Sequence, residues 1–353
     1  MTEDLDKALR FQAKACDTLG SPFNGALCAA LADDVAAGGA ARGLFAPWAA
    51  APLRQLIDDA VALRALAALH DLALSGEAPE LSAAYPAPGR ETSPAGAWLE
   101  AQRAIRAHEA RLARFMAHEP QTNEVRRSVC LLGGFLTVAA ETRLPLRTFE
   151  LGASAGLNLS WDRFGYDLGE GRWGDPASPV QLDTQWTGSL PPLNAPVTVI
   201  SRAACDRRPT DLADPEQERR LLAYLWPDQF ERLARARAAI ALARRHGVQV
   251  ETADAAEWAG RIVTLEPSAA TVLYHSVFWQ YLPAETQAAL QTAIDRLAAN
   301  ATSAAPFAWL RMEPPADDPS KMEVRLTLWP GGEDRRLAQV HPHGARVAWD
   351  ARA

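Results

Sequence analysis

The residues of this chain best suited to chemistry gather in one short stretch, LRTFELGASAGLNL, at residues 146–159. The spacing predicts an apolar strand over 146–151 that carries a carboxylate, Glu150, and runs into Gly152-Ala153-Ser154-Ala155-Gly156. Glycines lack a Cβ, so the backbone here is free to bend sharply and approach a ligand. A helix is expected to follow the turn, and the open amides of a helix start suit an anionic group. Two chemistries share this shape. In the first, Gly152-x-Ser154-x-Gly156 is a nucleophile elbow, with Ser154 attacking and Asp254 and His275 or His341 as partners. Everything before residue 146 reads as helix, however, and an elbow normally follows several earlier strands. In the second, the turn cradles a nucleoside. A dinucleotide fingerprint would need glycine where Ser154 and Leu157 stand, and no Walker A loop is present.

The elements that must position this turn divide the chain into two parts. Residues 1–142 form an expected helical N-terminal domain, with apolar residues at three- and four-residue spacing near 3–19, 24–37, 53–75, 97–118 and 123–142. Thr122 or Asn123 is placed to cap the last of these. From 143 to 353 the pattern changes to strands alternating with helices. Strands are expected at 146–151, 196–201, 248–252, 270–275 and 306–312, with a closing pair near 322–329 and 338–349. Helices are expected at 215–246 and 284–299. This alternation predicts an α/β fold, a Rossmann-like, doubly wound, mostly parallel sheet. A segment rich in Gly, Pro, Trp and Asp at 161–196 reads as a strand-containing insertion able to cover a site.

Composition narrows the function classes. A net charge of −7 over 353 residues argues against a general nucleic-acid or lipid-surface binder. The opening MTEDLDKAL lacks a signal-peptide pattern, and the longest apolar run, Val129 to Ala140, is too short to span a bilayer. Four scattered cysteines, Cys16, Cys28, Cys130 and Cys205, read as reduced thiols, so a cytoplasmic location is expected. No metal-ligand spacing is found, and His341 and His343 have no third ligand nearby in sequence.

The segment Glu150-x-Gly152-x-Ser154-x-Gly156 resembles the cofactor site of class I S-adenosylmethionine-dependent methyltransferases: strand, acid, glycine turn, helix. That resemblance implies S-adenosylmethionine as cofactor, held by Glu150, Gly152, Ser154, Gly156, Asn158, Asp206 and Asp254. Ligands of such folds bind at the carboxyl ends of parallel strands. Asp206 there faces the ribose and Asp254 the adenine, while Asp254 also reads as a helix N-cap and Asp206 as a partner of Arg207 or Arg208. His275 is the implied general base, with Glu124 and Tyr281 as further catalytic candidates. Asn123, Trp161, Trp279 and Gln280 are the substrate-binding candidates, the aromatic faces being suited to a sulfonium or a flat substrate.

The segments Gly20-Ser21-Pro22, Gln121-Thr122-Asn123-Glu124-Val125, GASAGLNLSWDR, Trp226-Pro227-Asp228-Gln229, HSVFWQYLP and Trp309-Leu310-Arg311-Met312-Glu313-Pro314 resemble a bacterial family catalogued as domain of unknown function 2332. The likeness runs through almost the whole chain, and the family is described as similar to methyltransferases. The expected activity is methyl transfer to a small-molecule oxygen or nitrogen. A non-catalytic adenine-nucleoside or partner-binding protein and a Ser154 hydrolase stand as alternatives, and the sequence leaves the oligomeric state open.

Overall fold

A computed structural model describes residues 3–350. Its strands are β1 (Leu146–Leu151), β2 (Gly165–Asp167), β3 (Arg172–Gly174), β4 (Gln181–Asp183), β5 (Gln185–Gly188), β6 (Val199–Asp206) and β7 (Glu251–Thr252). They continue as β8 (Ala270–Ser276), β9 (Phe307–Glu313), β10 (Glu323–Trp329), β11 (Asp334–Val340) and β12 (Arg346–Trp349). Nine of them form one sheet in the order β5-β12-β11-β10-β9-β8-β1-β6-β7. The run β7-β6-β1-β8-β9 is parallel throughout. From β9 the chain turns back in antiparallel hairpins through β10, β11 and β12, and β5 adds a parallel strand at that edge.

Numbered within the parallel run alone, the order is 3-2-1-4-5, the doubly wound arrangement whose direction reverses between its first and fourth strands. That switch point lies between β1 and β8. All six residues of β1 are buried, as a central strand covered on both faces requires.

Helix Arg127–Thr142 covers one face, packing on β8, β9, β10 and β11. Its two glycines explain the close fit. A Cβ on Gly133 would stand 2.3 Å from the Trp349 ring, and one on Gly134 2.3 Å from Leu310. Helices Ala255–Ile262 and Ala284–Asn300 cover the other face, where Phe149, Leu151, Leu273, Trp258 and Ile294 share a core.

Contacts divide the chain into two units, residues 3–122 with 212–236, and residues 123–211 with 237–350. The boundary therefore differs from the 142/143 division read from the sequence. Helix Arg127–Thr142 belongs with the sheet it covers, and a later segment, Leu212–Ala236, joins the helical unit. There Ser21 Oγ and the Phe23 amide both donate to the Asp228 carboxylate, closing the start of helix Pro22–Ala36. Two of the segments quoted above thus meet for a structural reason.

Several expected helices are shorter than their patterns. The 53–75 run divides at Ala60, which adopts φ 49°. The 215–246 run divides into Pro215–Ala223 and Phe230–Arg245, with Pro227 between them. The 123–142 run begins only at Arg127, and Asn123 does not cap it. The 161–196 insertion builds a small sheet, β3-β2-β4, and supplies β5 to the far edge of the main sheet.

Candidate functional site

The carboxyl ends of the parallel strands carry Glu150 on β1, Asp206 on β6, Asp254 after β7, His275 on β8 and Glu313 on β9. Glu150 is buried, and its Oε2 accepts a hydrogen bond from the Tyr274 hydroxyl at 3.1 Å. Burial pushes the carboxyl up to about 8; the Tyr274 hydrogen bond opposes this, the nearby Asp206 charge adds to it, and the Arg127 charge opposes it.

In the turn, Gly152, Ser154 and Gly156 all adopt positive φ, at 65°, 53° and 70°. The Ser154 amide donates to Asp206 Oδ2 at 2.9 Å, and the Arg208 amide to Asp206 Oδ1 at 2.8 Å. Asp206 therefore pins the turn with Oδ2 and its own following loop with Oδ1. The Ser154 hydroxyl is buried and makes no hydrogen bond.

The expected helix after the turn is a 3₁₀ segment, Leu157–Arg163, interrupted at Ser160. It is too short to serve as an anion-binding helix start. The Phe278 ring packs on Gly152, and Val248 and Val250 lie against Gly156. Gly152→Ala therefore meets two obstacles. Its φ of 65° disfavours any Cβ, and that Cβ would lie 2.2 Å from Phe278 Cδ2. A loss of roughly 1–3 kcal/mol is expected in urea unfolding; an unchanged midpoint would contradict the packing described.

Behind the turn a polar network joins the start of helix Arg127–Thr142. Asn123 Oδ1 accepts the Leu157 amide at 2.9 Å, Asn158 Nδ2 donates to the Glu124 carbonyl at 3.3 Å, and Ser128 Oγ donates to Asn158 Oδ1 at 2.7 Å. Glu124 Oε1 accepts the Arg126 amide. Desolvation lowers the affinity of the half-buried Arg127 for its proton, and the charges of Glu124 and Glu313 oppose this. Its charge in turn acts on the Glu150 carboxyl.

His275 is fully buried. The Trp309 indole N–H donates to its Nε2 at 3.1 Å, which assigns the ring proton to Nδ1, where it is donated to Glu313 Oε1 at 2.7 Å. No lone pair remains to accept a substrate proton, so the general-base role is corrected in this arrangement: His275 is a satisfied link between Trp309 and Glu313. Side chains alternate along a strand. Tyr274 turns to Glu150 and, edge-on, to Phe135 in helix Arg127–Thr142, whereas His275 turns to Trp309 and Trp279 on the opposite face.

Glu313 Oε1 also accepts the amides of Phe278 and Trp279, clasping the loop after β8, while Oε2 is buried without a hydrogen-bond partner. Val277 in that loop holds φ 52°, costly for a β-branched residue. A cavity of about 260 Å³ opens beside His275, Trp279, Trp309, Arg311 and Glu313.

Gln280 and Tyr281 are exposed, Tyr281 at 73%. Asp254 caps helix Ala255–Ile262, accepting the Ala256 and Glu257 amides, so its oxygen is engaged there. Trp161 is fully buried and stacks on Phe135 with ring centres 3.9 Å apart, so it is a core residue that no substrate reaches in this arrangement.

Residues 6–349 match the family described as "Uncharacterized protein conserved in bacteria", DUF2332. The chain belongs to this family. Neither the curated proteins nor the solved structures give a match. Among the described residues of this DUF2332 member, no helix is long and apolar enough to cross a membrane.

Sequence reasoning passed over Arg127, Tyr274 and the clasping role of Glu313. Glu313 and Trp309 lie in one of the segments that carried the resemblance, and Tyr274 is one residue before His275, so strand alternation was the available signal for it.

Proposed function

We propose that this protein is an S-adenosylmethionine-dependent methyltransferase acting on a small-molecule oxygen or nitrogen. The observation that carries the reading is the buried Glu150 carboxylate at the switch point of a 3-2-1-4-5 parallel run, directly before a glycine turn. The donor set fits the cofactor in kind. Glu150 pairs with the aminoacyl ammonium, and Arg127, within reach of the Glu150 charge, offers its guanidinium to the carboxylate. The orphaned Ser154 hydroxyl supplies one further polar contact. Asp206 holds the turn through Oδ2, while its Oδ1 accepts the Arg208 amide.

When bound, the cofactor supplies an electrophilic methyl group. The protein's own part is to bind, orient and accept a proton. Glu313 Oε2, which no hydrogen bond occupies and which lies in the field of Arg127, takes the proton in place of His275.

A thermal-shift comparison of S-adenosylmethionine, S-adenosylhomocysteine, NAD and ATP tests the reading. Ligand at a hundred times its dissociation constant adds about 2.7 kcal/mol of stability. A shift with the two sulfur nucleosides is expected; a shift with NAD or ATP alone overturns the assignment. The occupied nitrogens of His275 favour one second reading, a nucleoside- or partner-binding protein without catalysis. Binding of S-adenosylmethionine with no methylation of any substrate pool would select it. The serine-hydrolase alternative gains no support, because Ser154 Oγ has no hydrogen-bond partner and His275 is committed to Trp309 and Glu313.

A further inference from the structure

The helical unit contains a cavity of about 420 Å³, larger than the one beside His275, and nothing in the proposed methyl transfer uses it. Its walls carry Arg111, Arg114, Arg219 and Arg220, with His108 and His118, against Asp71, Glu77 and Glu216. With both histidines neutral the walls hold one net positive charge, and with both protonated three.

The arrangement is built rather than incidental. Asp71 is buried, and its two oxygens hold Arg219 Nε at 2.9 Å and Arg111 Nη2 at 2.7 Å. Glu77 takes the other terminal nitrogen of Arg111. One buried carboxylate thus fixes two guanidinium groups from different helices, Pro94–Met116 and Pro215–Ala223. Among the described residues, the other two arginines have no carboxylate partner. Arg220 lies over the Phe115 ring at 4.4 Å. Helix Pro94–Met116 also leaves helical geometry at His108, on the cavity wall, with φ −126° and ψ 23°.

We propose that this cavity binds a small anion bearing one or more phosphate groups. Arginine's planar fork suits phosphate oxygens, and two forks already oriented by Asp71 lose little freedom on binding. Arg114 and Arg220 are the two charges left to neutralise the ligand, and the partial screening of Arg111 and Arg219 by their own acids limits the affinity they add. The concave shape and volume favour a small molecule over an extended polymer.

Calorimetric titration of the full chain with pyrophosphate and with inorganic phosphate, in 0.15 M potassium chloride, tests the proposal. Pyrophosphate is expected to bind more tightly than phosphate. The double variant Arg114→Gln/Arg220→Gln, which leaves the Asp71 network intact, is expected to weaken pyrophosphate binding at least tenfold. Its far-ultraviolet circular dichroism is expected to match the wild type. Absence of binding by either anion at millimolar concentration overturns the proposal, as does equal affinity in the double variant. Competition by S-adenosylmethionine would also overturn it, by assigning the anion to the other site.

Discussion

Glu150→Gln is expected to remove a decline of about 3 kcal/mol in this protein's stability between pH 5 and pH 8. A carboxyl held at about 8 in the folded protein, against 4.5 for an ordinary one, keeps its proton on folding while the unfolded chain loses it. The folded state then binds more protons than the unfolded state throughout that window. Stability therefore falls as pH rises from the unfolded value toward the folded one, by about 3 kcal/mol across pH 5 to 8. Glutamine retains an oxygen to accept the Tyr274 hydroxyl and has no proton to lose, so the variant lacks this decline. Its extra amide hydrogens cost it some stability at acid pH, and the two curves are expected to approach or cross as pH rises. Urea midpoints at half-unit pH intervals check this. Parallel curves for the two proteins would show that Glu150 ionises as an exposed carboxylate does.

Trp161→Ala is expected to cost about 3–5 kcal/mol of stability. The side chain is fully buried, stacks on Phe135 at an interplanar angle of 5°, and lies 5.8 Å from the Trp173 ring. Through Phe135 it ties the insertion to helix Arg127–Thr142, and its backbone carbonyl accepts the Tyr166 hydroxyl at 2.7 Å. Truncation leaves a large cavity in a junction of three aromatic residues. A loss confined to substrate affinity, with the urea midpoint unmoved, would instead restore Trp161 to the binding role read from the sequence.

Of the parallel strands, β1 and β8 were legible because they are buried almost throughout and read as short apolar runs between helical patterns, whereas β6 and β7, half-buried or exposed over most of their length, were expected at 196–201 and 248–252 and lie at Val199–Asp206 and Glu251–Thr252. β1 was found with its bounds, β8 and β9 to within a residue at either end, and the antiparallel closing strands were foreseen as a single edge pair. The helix expected after the glycine turn was not legible as 3₁₀, because Asn158 and Ser160 are polar residues whose inward packing depends on helix Arg127–Thr142. The insertion was recognised by composition, yet its destination was not, since the pairing of β5 with β12 joins residues about 160 positions apart. In the site, the residue types at strand ends were legible and their facing was only partly so. Glu150 and His275 stand at neighbouring strand ends, but the register that pairs Glu150 with Tyr274 turns His275 to the opposite face. The hydrogen bonds that occupy His275 come from Trp309 and Glu313, and only the fold brings these three together.

The most direct test is a calorimetric titration with S-adenosylmethionine at pH 7, run in two buffers of different ionisation enthalpy. Pairing with the cofactor's ammonium ionises Glu150, so the wild type is expected to bind and to release close to one proton, while Glu150→Gln is expected to lose binding at least tenfold. Wild-type protein that takes up no S-adenosylmethionine, or a Glu150→Gln variant that binds it equally well, would contradict the assignment of this strand end as the cofactor site.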